Sequence, residues 1–70
     1  MKIIRIDEDT KVEKTVANGL SEQEAIDKVI AVADGERRNI PNNPMIVASG
    51  PNAISIAIGV YKIVTYEVVE

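Results

Sequence analysis

Seventy residues with no cysteine and no histidine, and with eleven acidic against eight basic side chains, form one expected domain, residues 1–70, near the lower limit of independent folding. The missing residue types exclude disulfides, ordinary zinc sites and the common nucleophile–base pairs of catalysis, so oligomerisation is the support expected for so small a core. A net charge of −3 with both signs interspersed, and two tyrosines as the whole aromatic content, offer nucleic acid neither attraction nor a stacking surface.

Lys2 to Asp7 alternates as a first strand, with Ile4 and Ile6 on one face and Ile3 and Arg5 on the other. The opening Met1-Lys2-Ile3-Ile4-Arg5 lacks the long apolar core of a signal peptide. No stretch approaches the ~20 apolar residues of a membrane span, and the chain is expected to be a complete cytoplasmic reading frame. Asp7-Glu8-Asp9-Thr10 suits a hairpin turn. Its acids lack the spacing and glycine of a calcium loop, and adjacent acids on one exposed turn do not supply a paired-carboxylate mechanism. Lys11 to Ala17 resumes an alternation broken by Lys14, as an edge strand does.

Asn18-Gly19 ends that strand. Ser21-Glu22-Gln23-Glu24 is a capping box, in which Ser21 accepts from the Glu24 amide and the Glu24 side chain reaches back. Ala25, Ile26, Val29, Ile30 and Ala33 follow at helical spacing, with Val32 at the margin of the stripe. Asp34-Gly35 is expected to end the helix, with Gly35 in the left-handed position beyond it.

Residues 35–44 read as a loop, with Asn39, Asn42 and Asn43 set around Pro41 and Pro44. Met45 to Ala48 is a short apolar strand, and Ser49-Gly50-Pro51-Asn52 is a turn rather than a phosphate loop. Ala53 to Ile58 alternates cleanly. Tyr61 to Val69 is apolar on both faces, with Tyr61, Ile63 and Val69 one way and Val64, Tyr66 and Val68 the other. Gly59 either closes a two-residue hairpin or forms a bulge in one long strand. The hairpin would place Ile58 opposite Tyr61 and Ile56 opposite Ile63.

The expected fold is therefore α+β, a small antiparallel sheet of four or five strands in the order ββαβββ, with one amphipathic helix on one face. Ile54, Ile56, Ile58 and Ile63 are expected beneath Ile26, Val29 and Ile30. Val64, Tyr66 and Val68 are then left on the far face, which makes them the candidate interface of a homo-oligomer. Arg37 and Arg38 suit the negative end of the helix. With Asn39, Asn42 and Asn43 they are also the candidate residues for binding an anion or a carboxylate patch.

Three segments carry a resemblance: Lys2-Ile3-Ile4-Arg5-Ile6-Asp7, Gly19-Leu20-Ser21-Glu22-Gln23-Glu24-Ala25, and Tyr61-Lys62-Ile63-Val64-Thr65-Tyr66-Glu67-Val68. Together they look like small proteins of phages and prophages that run strand, strand, helix, strands. The resemblance covers the helix and both ends but not residues 35–52. It implies a short accessory protein that acts by binding, with a host defence system as one target, and it carries over no catalytic residue. The functional expectation is a non-enzymatic binding protein without cofactor or metal, self-associating through its sheet and occupying a host or phage protein. The competing expectation is an oligomer that sequesters a nucleotide-like anion between protomers.

Overall fold

The computed structural model describes residues 1–40, 45–50, 52–58 and 62–70. Its elements run β1 (Lys2–Asp7), β2 (Glu13–Ala17), α1 (Glu22–Arg38), β3 (Met45–Ser49), β4 (Ala53–Ala57) and β5 (Ile63–Val69). The five strands form one antiparallel sheet in the order β2-β1-β5-β4-β3. The α+β class and the ββαβββ order are those expected. Charged β2 is at one edge of the sheet and uncharged β3 at the other.

The helix begins as the capping box dictates. Ser21 Oγ accepts from the Glu24 amide at 3.2 Å, and Glu24 Oε1 accepts from the Ser21 amide at 3.0 Å. Just upstream, Met1 holds Leu20 from both sides. The Leu20 amide donates to the Met1 carbonyl at 3.0 Å, and the Met1 ammonium donates to the Leu20 carbonyl at 2.6 Å. The start of α1 is thus tied to the start of β1, and Met1 and Leu20 both pack against the core.

Beneath α1, the core consists of Ala25, Val29 and Ala33 from the helix against Ile3, Ile54, Ile56, Val64, Tyr66 and Val68 from the sheet. This overturns the expected placement of Val64, Tyr66 and Val68. They are 0%, 4% and 6% exposed and lie under the helix, while Ile63 is 39% exposed on the opposite face.

The cause is a register difference of one residue. A two-residue hairpin would set Ile56 opposite Ile63, but Ile56 stands opposite Val64 and Ala57 opposite Ile63. The Ile58 amide donates to the Lys62 carbonyl at 2.9 Å, which leaves three residues of chain between that pair. Because side chains alternate, a one-residue slip moves a whole strand's side chains to the other face. The choice between turn and bulge at Gly59, and the expectation for Tyr61, lie outside the described residues.

The helix also runs one turn further than expected. Gly35 is helical rather than a terminator, and α1 continues to Arg38 with Asn39 as its C-cap, whose amide donates to the Glu36 carbonyl at 3.1 Å. Two features hold this last turn in place of a glycine stop. Asp34 pairs with Arg37 and Arg38, three and four residues on, and Glu36 is anchored to the sheet. Of the expected helix face, Ile30 is 57% exposed, because α1 lies chiefly across β5 and β4 and leaves the β3 side uncovered.

Candidate functional site

Three features of the described residues qualify for a role beyond folding. The first is the sheet face away from α1. Alternation from the covered residues assigns to it Ile4 and Ile6 of β1, Ala53, Ser55 and Ala57 of β4, and Ile63, Thr65 and Val69 of β5. Its middle carries little unmet polarity, since Ser55 Oγ and Thr65 Oγ1 share a hydrogen bond of 2.8 Å. One end carries charge from Lys2, opposite Val69, and from Glu67, opposite Ile4. At the other end Ile6, Ile63 and Ala57 are apolar but bordered by charge: Glu13 is paired with Ile6, and the Glu8 carboxylate, 3.0 Å from Lys11 Nζ, lies by Thr65. Ile4, between the two ends, is only 8% exposed. The one helix of the described residues packs on the other side of the sheet.

The second feature is polar and half-buried under the end of α1. Arg5 on β1 and Tyr66 on β5 are directly opposed in the sheet, and both reach Glu36. Arg5 Nη2 donates to Glu36 Oε1 at 2.7 Å and Arg5 Nε to the same oxygen at 3.0 Å, while Tyr66 Oη donates to Glu36 Oε2 at 2.6 Å. Burial pushes the Glu36 carboxyl up, but the hydrogen bonds from Arg5 and Tyr66 outweigh it and hold it below the ordinary carboxylate value. Burial, then the adjoining Glu36 carboxylate, pushes the Tyr66 phenol up to about 12. The Arg5 guanidinium is raised chiefly by its hydrogen bond to Glu36. At neutral pH the trio is a cation, an anion and a neutral donor, mutually satisfied. Its chemistry is that of a strut from helix to sheet, with Tyr66 held as a donor.

Sequence reasoning missed this trio for two reasons. Glu36 was assigned to a loop, and Tyr66 to the wrong face. The available signal was that Arg5 shares a face with Ile3, so a carboxylate was needed wherever that face met the helix.

The third feature is a cleft of about 60 Å³ between α1 and β3–β4, lined by Ile30, Ala33, Ile46, Ile54 and Ile56, with Asp34 and Arg37 at its rim. Ligand pockets are usually ~300–1,000 Å³, so it admits no more than a side chain.

The expected anion site is placed in part. Arg37 donates to Asp34 Oδ1 from Nη2 at 2.7 Å and from Nε at 3.0 Å, and Arg38 Nε lies 2.9 Å from Asp34 Oδ2. Asp34 is held below its ordinary value chiefly by the hydrogen bond from Arg37. Both arginines are therefore already matched to a carboxylate on their own helix, and Asn39 serves as the C-cap. Asn42 and Asn43 lie outside the described residues. Among the described residues no cluster of acidic side chains is gathered as metal ligands, and no helix is long and apolar enough to cross a membrane.

No protein-family model, curated protein or solved structure matches this chain.

Proposed function

We propose that this protein is a small non-enzymatic binding protein that associates with a second copy of itself through the uncovered face of its sheet. The observation that carries the proposal is that face: Ile6, Ile63, Ala57 and Val69 around a Ser55–Thr65 hydrogen bond, with no described helix packed over it. Aligned packing of two such faces gives a β-sandwich about 10 Å between sheets, with inward residues interdigitating. A two-fold axis running along the strands between β1 and β5 brings Lys2 of one protomer toward Glu67 of its partner. Val64, Tyr66 and Val68 have no part in it, since they fill the protomer's own core.

The resemblance to phage accessory proteins fits the same proposal, with a host or phage protein as the eventual target and the bacterial cytoplasm as its place of action. The anion-sequestering alternative has less support, because Asp34 occupies Arg37 and Arg38 and the helix-side cleft is small.

Native mass spectrometry of gently purified protein tests the reading. The expected spectrum is a dimer without added mass that becomes a folded monomer in Ile63→Glu. A monomeric wild type contradicts the proposal. A multimer carrying an added mass of a few hundred daltons, lost when Arg37 and Arg38 become Ala, favours the alternative.

A further inference from the structure

Of the five asparagines, Asn18 is the one followed by glycine; the others precede Ile40, Asn43, Pro44 and Ala53. Asn18 and Gly19 are both exposed in the connection between β2 and α1. Gly19 adopts φ +70, and no atom lies within 4 Å of where a Cβ on it would stand. Its amide nitrogen donates to Asn18 Oδ1 at 2.8 Å. That oxygen is bonded to Cγ at about 1.23 Å, so the nitrogen is at most about 4 Å from the Cγ carbon. The asparagine side chain is thus folded over the following amide rather than extended into solvent. The two atoms that close a five-membered imide ring are already neighbours, with no side chain on the attacking residue to obstruct them.

We propose that Asn18–Gly19 is a self-modification site, at which the Gly19 amide nitrogen attacks Asn18 Cγ. Hydroxide removes the amide proton, the nitrogen–Cγ bond forms, and water protonates Nδ2 as the Cγ–Nδ2 bond breaks, so ammonia leaves and hydroxide is regenerated. Water then opens the imide at either carbonyl, giving an aspartyl or an isoaspartyl residue at position 18. Both products add one negative charge. The isoaspartyl product also inserts a methylene into the main chain two residues before Leu20, whose amide and carbonyl are both held by Met1. That product therefore pulls on the clamp joining β1 to the start of α1, while the aspartyl product leaves the main chain unchanged.

The test is incubation of the full chain at mildly alkaline pH, natively and in urea, followed by tryptic mapping of residues 15–28. The expected result is a mass gain of about 1 Da confined to that peptide, with isoaspartate among the products, at comparable rates in the two conditions. Asn18→Gln abolishes it, because its longer side chain would close a larger ring. The isoaspartyl fraction, separated by charge, is expected to melt below Asn18→Asp. Conversion in urea with none in the native protein overturns the proposal, since the folded turn would then be protective. Conversion at another asparagine, or persistence in Asn18→Gln, overturns it equally.

Discussion

On the helix side of the sheet, Ile3, Ile54, Ile56, Val64 and Val68 are buried against Ala25, Val29 and Ala33. On the other side, Ile4, Ile6, Ile63 and Val69 lie among Ala53, Ser55, Ala57 and Thr65 with no helix above them. The two faces use much the same β-branched residues, so composition does not distinguish them. What differs is that the covered face also holds an internally neutralised polar anchor, Arg5–Glu36–Tyr66, which fixes the end of the helix above it. One face of the sheet is closed by the chain's own helix, and the other has no described helix over it.

The strongest way to break this comparison is to truncate matched residues on the two faces. Ile56→Ala on the closed face is expected to cost about 2–5 kcal/mol, a large part of the roughly 4–10 kcal/mol a domain of this size has. Ile63→Ala on the open face should cost under about 1 kcal/mol in the monomer. Urea unfolding at low protein concentration measures both, and equal losses would mean that the open face is also part of the protomer's core.

Next in size is the anchor. Tyr66→Phe or Glu36→Gln is expected to cost about 1–3 kcal/mol. The pH dependence has a definite sign. The folded carboxyl of Glu36 lies below its ordinary value of 4.5, so its contribution is present above that pH and is lost as pH falls through the lower folded value. Tyr66 is raised from 10.0 to about 12, so its contribution is complete below pH 10.0 and is lost as pH rises toward 12. Glu36→Gln should flatten the acid limb of a stability–pH curve. An unchanged limb would show that the anchor contributes nothing.

Ile63→Glu sharpens the contrast from the open side. It is expected to alter monomer stability by about 0.5 kcal/mol or less while removing the dimer, as read by sedimentation. The last effect is a gain in stability. Gly35 is helical with open space where a Cβ would stand, so Gly35→Ala should stabilise the protein by about 0.5–1 kcal/mol, seen as a higher thermal midpoint. A loss there would mean that α1 ends at Gly35 after all.

The order of elements was readable from the chain because each depends on local signals: the Ser21–Glu24 box, the Asp7 turn, and the alternation from Ala53 to Ile58. What was not readable depends on partners distant in sequence. The face that Val64, Tyr66 and Val68 occupy turns on one residue of hairpin length, to which a strand apolar on both sides gives no clue. The helix end was misplaced because Gly35 is a local stop signal that Glu36 overrides from across the fold, through Arg5, 31 residues away. Arg37 and Arg38, expected just beyond the helix, lie in its last turn. Their engagement by Asp34 follows from helical spacing once the helix is allowed to continue.

The most direct test of the central claim is an isotope-filtered NOE experiment on a mixture of labelled and unlabelled protein. The account predicts contacts between protomers from the methyl groups of Ile6 and Ile63 to Ala57, and none from Val64 or Val68. Contacts between protomers at Val64 or Val68, or along α1 and Ile46, with the open face silent, would contradict it.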